Sequence, residues 1–262
     1  MTITRWDWRN TVNLELLIGR GDRLFANRYR LLKALWNGNS GEFYLAEDVK
    51  FENREVLLKV FHQKALLHAN QESPFSPSSF QFMKLKNPRV ASVYDFGTSA
   101  GDAYVASEYV QGTSLASYLN DNALDDELLY FILLQLARTI HKLHQSGIQN
   151  IDLTLDHILL DSNGNIRLVD LVGIENSKND VQHFVRGPLR APELWRRKEP
   201  SRESDLYALG VIAYQLITGE PPFDGGSVVE LMRQHLEEVP CAVSVLSPGT
   251  PLWVDDMVAG ML

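Results

Sequence analysis

Residues 204–223 read SDLYALGVIAYQLITGEPPF, and this stretch decides the fold of the chain. Residues 204–218 are apolar on nearly every side of a helix, which predicts a helix that is buried all round. Gly219 and the pair Pro221-Pro222 end this helix, because proline cannot continue it. A helix of this kind must be covered by other elements of the chain.

The chain after Gly112 is helical as well. Leucines and isoleucines recur at helical spacing over 125–146, and Gly147 stops this helix. Two further helices are predicted near 227–238 and 251–262. We therefore expect this part of the chain to form the larger, mainly helical lobe.

The earlier part of the chain is rich in strands. Residues 29–60 follow the pattern strand, glycine turn, strand, polar turn, strand, and residues 90–96 and 103–110 predict two more strands. A short helix is expected between these groups, since Ser78 and Gln81 have the spacing of a capping box. The sequence thus predicts an α+β fold with a small β-rich lobe and a larger helical lobe.

Composition excludes several classes of protein. The formal net charge of −8 disfavours non-specific nucleic-acid binding, which depends on Lys and Arg against phosphate. Cys241 is the single cysteine, so an internal disulfide and a cysteine-rich zinc site are both excluded. The sequence has neither an apolar run long enough to span a bilayer nor a signal peptide at its start. We expect a cytoplasmic protein with protein partners, no nucleic acid and no membrane segment in this chain.

Short motifs occur along the chain in a fixed order, and each of them alone is weak. They are Gly38-x-x-Gly41-x-Phe43-Tyr44-Leu45-Ala46, Leu58-Lys59-Val60, Glu108-Tyr109-Val110-x-Gly112, Asp152-Leu153, Ile158-Leu159-Leu160, Leu168-Val169-Asp170, Ala191-Pro192-Glu193, and the motifs within 204–223. Together, in this order and at this spacing, they resemble the protein kinase family, specifically bacterial serine/threonine kinases. The resemblance covers about residues 29–262.

The resemblance implies a bilobal protein-kinase-like fold. Residues 1–28 are then an N-terminal extension, 29–110 the N-lobe and 111–262 the C-lobe, with a hinge near 108–112. The C-lobe looks truncated at its C-terminal end, so we expect the chain to be part of a longer protein.

The resemblance also assigns roles to particular residues. It implies a catalytic aspartate, Asp152, which orients the attacking hydroxyl, and metal ligands at Asp170 and His157. The nucleotide-contacting positions that it implies are Lys59, Gly38, Gly41, Phe43, Leu57, Glu108, Val110 and Leu159.

Many of the family's functional residues are replaced. Trp36 stands for the first glycine of the phosphate loop, and Ser78 stands where a helix glutamate would pair with Lys59. We interpret Ser78 as a helix cap, while Glu72 is another candidate partner for Lys59. In the catalytic loop and the activation segment the replaced positions are Ile151, Thr154, His157 and Val172. Imidazole is a poor ligand for magnesium, so the metal role of His157 is in doubt.

The adenine pocket is altered by two enlarged side chains. Phe43 and Leu57 are both bigger than the family's residues at the roof, and a packed slot has no room for an added ring or methylene. We expect them to fill the adenine space and to meet Leu159 from above. The alternative is that the strands move outward and a ligand still fits.

Two retained acidic residues have structural roles in the family. Asp205 is expected to accept backbone N–H bonds from the catalytic loop, and Glu193 usually pairs with a late arginine. Arg186 could form an ion pair with Asp152 and close the cleft, or it could simply be an exposed loop residue.

Two functions from different classes follow. The leading hypothesis is a pseudokinase, a protein-binding or allosteric signalling module that needs no cofactor. The alternative is an atypical serine/threonine kinase that uses Lys59, Asp152 and Asp170 with ATP and Mg²⁺. A kinase fold adapted to another nucleotide reaction, such as nucleotidylation, is a more distant third.

Overall fold

The computed structural model describes residues 24–37, 41–61, 75, 79–151, 153–173 and 187–262. The chain divides into two compact units. One consists of Met1–Gln111 with Val172–Asp180, and the other of Gly112–Leu171 with Val181–Leu262. The lobe limits given above stay predictions, and the proposed extension over 1–28 lies outside the described residues as far as residue 23.

The first unit contains a five-stranded antiparallel sheet with the order β1-β2-β3-β5-β4. Its strands are β1 (Tyr29–Asn37), β2 (Gly41–Asp48), β3 (Arg54–Phe61), β4 (Val93–Ser99) and β5 (Asp102–Glu108). The short helix α1 (Ser79–Lys84) lies between β3 and β4. The strand, turn and helix order predicted from the sequence is therefore confirmed for the described residues of this unit.

One face of this sheet carries a buried apolar cluster. Alternating positions of β2 and β3 point to it, as the side-chain period of a strand requires. Its members are Tyr29, Tyr44, Ala46, Val56, Leu58, Val60, Tyr104 and Ala106. The opposite face carries Phe43, Leu57 and Lys59, so the residues of functional interest lie on the other side of the same two strands.

A group of charged side chains lies at one end of strands β1, β2 and β3. Asp48 is fully buried and accepts hydrogen bonds from Arg28 at 2.8 Å and from Arg54 at 3.0 Å. The hydrogen bond from Arg28 is the main cause that lowers the pKa of Asp48, which therefore stays ionised. Two guanidinium groups thus compensate a buried carboxylate that would otherwise be costly.

The second unit is mainly helical and also contains a three-stranded sheet with the order β6-β7-β8. Its strands are β6 (Thr113–Ser114), β7 (Ile158–Leu160) and β8 (Ile166–Leu168), with 3₁₀ turns at Leu155–His157 and Gly187–Leu189. The helices are α2 (Leu115–Asp121), α3 (Asp126–Gln145), α4 (Pro192–Trp195), α5 (Arg202–Thr218), α6 (Val228–Glu237), α7 (Val243–Leu246) and α8 (Leu252–Ala259).

Helix α5 is the buried helix that the opening stretch predicts. It begins two residues earlier than expected because Ser201 caps it through a reciprocal capping box with Ser204. It ends at Gly219, whose φ of 84° is the left-handed conformation of a helix C-cap. A Cβ added to Gly210 would lie 2.8 Å from Cβ of Met261, so glycine permits close packing there.

The α+β class is confirmed by these two units. Helices α2, α4 and α7 were not predicted, because segments of four to seven residues are too short to show a helical period. None of the helices within the described residues combines the length and apolar character that crossing a membrane requires.

Candidate functional site

Lys59 lies on β3 directly opposite Phe43 of β2. Its side chain is buried, with the residue only 4% exposed. The ammonium nitrogen Nζ lies 5.1 Å from the centre of the Phe43 ring and 4.8 Å from that of Phe61. Both distances are those of cation–π contacts, which stabilise a desolvated ammonium group. Aromatic side chains therefore form part of the environment of this lysine.

Phe43 also stacks on an aromatic neighbour from β1. The rings of Trp36 and Phe43 are 4.0 Å apart between centroids and nearly parallel, at 12°. The register pairs these two residues across the strands. Phe43 and Leu57 are both buried. Trp36, the replacement for a phosphate-loop glycine, thus packs against the side chain that replaces the roof valine.

The packing of two strands explains why residue 41 is a glycine. A Cβ at this position would lie 2.3 Å from the carbonyl oxygen of Val60, because β2 and β3 approach closely here. Its nucleotide role stays a prediction. Gly38 lies outside the described residues.

The end of β5 is anchored to the segment before β4. The backbone N–H of Glu108 donates to the carbonyl oxygen of Ser92 at 2.8 Å, and its carboxylate accepts from the Ser92 N–H at 3.1 Å. Val110 follows in irregular backbone and is half-buried. The adenine-binding roles of Glu108 and Val110 remain predictions.

In the second unit, the β7–β8 hairpin brings two candidate metal ligands together. Ile158 pairs with Leu168, and the N–H of Val169 donates to the carbonyl oxygen of His157 at 2.9 Å. His157 therefore lies directly before one strand and Asp170 just after the end of the other. Nε2 of His157 lies 3.6 Å from Oδ2 of Asp170, which is too long for a hydrogen bond.

Thr154 fixes the approach to His157. Its hydroxyl oxygen accepts the backbone N–H of His157 at 3.3 Å and so caps the 3₁₀ turn. A threonine here can orient the turn but cannot contribute the positive charge of the lysine it replaces. Leu159 is the central residue of β7 and pairs with Ser114 and Arg167, half-buried. Its expected contact with Phe43 and Leu57 stays a prediction.

Asp205 holds the start of the catalytic-loop segment, as expected. Its carboxylate accepts backbone N–H bonds from Asn150 at 3.1 Å and Ile151 at 2.8 Å. It also lies 2.8 Å from Nε2 of His144, a partner that the sequence analysis missed. Burial raises the pKa of Asp205, while the bond to His144 acts in the opposite direction. Glu193 accepts a hydrogen bond from the Ser204 hydroxyl at 2.5 Å.

Several predicted residues cannot be placed. Ser78, Glu72, Asp152 and Arg186 lie outside the described residues. In the part of the chain that the structure covers, three or more His, Cys, Asp or Glu side chains do not converge as a metal cluster. A pair of ligands is nevertheless compatible with a nucleotide-bound cation, because phosphate oxygens and water complete its coordination.

Comparison with known families shows which family the chain belongs to. The family described as the protein kinase domain matches residues 29–253. The chain belongs to the protein kinase family. The predicted bilobal kinase fold, with a β-sheet N-lobe and a helical C-lobe, is thereby confirmed.

Three relatives of this kinase domain come from bacteria. It is 30% identical over 252 residues to the serine/threonine-protein kinase PrkC of Bacillus subtilis (strain 168), covering 93% of this chain and 38% of PrkC. It is 28% identical over 244 residues to the probable serine/threonine-protein kinase PknB of Lactococcus lactis subsp. lactis (strain IL1403), covering 90% of this chain and 39% of that protein.

PknB of Mycobacterium leprae (strain TN), a serine/threonine-protein kinase, is also 28% identical, over 245 residues that make up 89% of this chain and 39% of the relative. The kinase domain therefore spans about two fifths of the length of the curated relatives it matches. The resemblance to bacterial serine/threonine kinases is confirmed.

Proposed function

We propose that this domain is an atypical serine/threonine protein kinase, which transfers the γ-phosphoryl group of ATP slowly to a hydroxyl of a protein substrate. Two features support this function over a pseudokinase. The relatives are named as serine/threonine kinases, and Lys59, Asp152 and Asp170 are retained. The observation that carries the proposal is that His157 and Asp170, the two expected metal ligands, come within 3.6 Å of one another.

Each residue of the proposed site has a definite task. The ammonium of Lys59 contacts phosphate oxygens and offsets their charge. His157 and Asp170 hold a divalent cation, which neutralises charge on the phosphates when it is bound. The carboxylate of Asp152 accepts a hydrogen bond from the substrate hydroxyl and orients it for attack. Positioning and charge neutralisation are the main contributions that phosphoryl transfer requires from a protein.

The replaced residues explain why transfer is expected to be slow. Thr154 supplies no positive charge for the transferred group, and its hydroxyl already accepts the N–H of His157. Loss of one preorganised charge costs about 2.7–4 kcal/mol of the barrier, a factor of roughly 10²–10³ in rate. Turnover of a few events per hour would still be measurable with enzyme in stoichiometric amounts.

A single-turnover assay tests the function. The purified domain is incubated with γ-labelled ATP, Mg²⁺ or Mn²⁺ and a hydroxyl-rich protein substrate, and labelled serine and threonine are counted. We expect slow label transfer by the wild type and loss of it in Asp152→Asn and Lys59→Met. His141→Asn, which changes an exposed residue of α3, serves as the matched control. Transfer that persists in Asp152→Asn, or that is absent from the wild type, would refute the proposal.

One observation favours a pseudokinase as the second candidate. Phe43 and Leu57 are buried and Phe43 is stacked on Trp36, which supports a roof without room for adenine. In that case the domain acts as a signalling module through a protein partner. Calorimetric titration with ATP separates the candidates, because a filled roof predicts no heat of binding at millimolar ATP.

A further inference from the structure

We propose that the cation site of this domain selects Mn²⁺ over Mg²⁺ more strongly than an all-oxygen site does, and that His157 sets this preference. The inference rests on the proposed function, since it concerns the cation that accompanies the nucleotide. The feature that distinguishes this site is the imidazole nitrogen of His157, which stands where the family has an asparagine oxygen.

The local backbone holds both ligands in place. The β7–β8 hairpin pairs Ile158 with Leu168, and the bond between the Val169 N–H and the His157 carbonyl extends that pairing by one step. The Thr154 hydroxyl fixes the 3₁₀ turn from the other side. The His157 and Asp170 side chains are 20% and 8% exposed, so both are largely packed against protein. Ligands on a hairpin are held more accurately than ligands on a free loop.

The distance between the ligand atoms suits one shared ion. Nε2 of His157 and Oδ2 of Asp170 are 3.6 Å apart. Two atoms that are each about 2.1 Å from an ion, at neighbouring corners of the octahedron that Mg²⁺ and Mn²⁺ prefer, lie about 3.0 Å from one another. A side-chain rotation that brings the two atoms about half an ångström closer would therefore let both bind one ion.

The donor atoms determine which ion is favoured. Mg²⁺ prefers oxygen ligands in a strict octahedron, and imidazole nitrogen is a poor donor to it. First-row transition ions accept imidazole readily, and Mn²⁺ among them also keeps the affinity for carboxylate and phosphate oxygens. One nitrogen from His157 with oxygens from Asp170 and a nucleotide thus favours Mn²⁺. Oxygen-only sites also bind Mn²⁺, so the discriminating quantity is the Mn²⁺/Mg²⁺ affinity ratio relative to a variant without the imidazole.

The test measures metal binding and does not depend on activity. Binding of MnCl₂ to the whole 262-residue chain is followed by electron paramagnetic resonance, with and without ADP, and MgCl₂ is added as competitor. We expect the Mn²⁺/Mg²⁺ affinity ratio to fall by about tenfold in His157→Asn and to be unchanged in His141→Asn. Spin-echo modulation from a directly bound ¹⁴N nucleus should appear in the wild type and vanish in His157→Asn.

The outcomes are separable from those of the phosphotransfer assay. A nitrogen-coupled Mn²⁺ signal without phosphotransfer would support this inference and refute the proposed kinase activity. Phosphotransfer with Mn²⁺ bound only by oxygen would do the reverse. Equal ratios in wild type and His157→Asn, or no binding of either ion with and without ADP, would overturn the inference. If His157→Asn is unfolded by circular dichroism, His157→Gln and the nitrogen signal of the wild type decide.

Discussion

Lys59 in the first unit and the His157–Asp170 pair in the second differ in how their surroundings depart from the family motifs. Around Lys59 the replacements, Trp36 and Phe43, are large and apolar, and they stack on one another. Near His157 one replacement is polar, since the Thr154 hydroxyl accepts the His157 backbone N–H, while another, Ile151, is apolar and buried. The residues predicted to contact the base and those predicted to contact a cation therefore depart from the family pattern by different physical means, and the two can be tested separately.

The largest expected effect concerns the polar network of the second unit. Asp205→Ala would leave two backbone N–H groups and His144 without their buried acceptor. Breaking such a buried pair costs about 3–5 kcal/mol of the free energy of unfolding. Urea denaturation measures it. Asp256→Ala, an exposed aspartate on α8, is the control and should change stability by less than about 0.5 kcal/mol. A small loss of stability in Asp205→Ala would show that the polar contacts of Asp205 do not stabilise this unit.

The first unit is tested by reducing its aromatic stack. Phe43→Val should destabilise the domain by about 2 kcal/mol, because a buried ring is removed and a cavity is left. The same change should raise ATP affinity if the ring occupies the adenine space, and calorimetry measures that. Phe131→Val, at a residue of α3 that is 41% exposed, is the control. Unchanged ATP binding in Phe43→Val would show that the roof is not what limits the nucleotide.

Thr154→Lys tests the positive charge that the family has at this position and this chain lacks. It should raise the phosphotransfer rate about tenfold, since a cation returns to the place that the family uses for it. It should also lose the cap on the 3₁₀ turn. Thr154→Ala removes the same cap without adding charge, so its rate should not rise. A similar rise in both variants would point to the turn, and not the charge, as the cause.

At neutral pH the smallest effect comes from His235 in α6, whose contribution to stability changes only on acidification. Its Nδ1 lies 2.6 Å from the Tyr207 hydroxyl, and burial lowers its pKa from 6.5 to about 4. The unfolded chain therefore binds a proton that the folded chain excludes between pH 6.5 and pH 4. Stability from this group is complete above pH 6.5 and is lost as the pH falls towards 4, by about 1 kcal/mol per pH unit. Urea denaturation at several pH values measures this dependence. In His235→Phe the free energy of unfolding should change less with pH between 6.5 and 4. A dependence equal to that of the wild type would contradict the role of His235.

Much of the fold could be predicted from periodicity. Helices α3 and α5 were located within two residues, because long periodic segments carry a strong signal and both have side-chain caps at Asp125 and Ser201. Strand β4 begins at Val93, three residues later than predicted, since strand ends lack comparable caps. For the candidate site, the sequence predicted which residues take part but not how close they lie to one another.

The sequence by itself determined the periodic helices and strands, the kinase family and the identity of every replaced residue, because these depend on local spacing. Only the tertiary structure decided which side chains meet. His144 and Asp205 are 61 residues apart and share a hydrogen bond, and Trp36 stacks on Phe43 because β1 and β2 pair in that register. His157 meets Asp170 because a hairpin folds the chain back on itself. Such contacts depend on packing in three dimensions, which no local pattern of residues records.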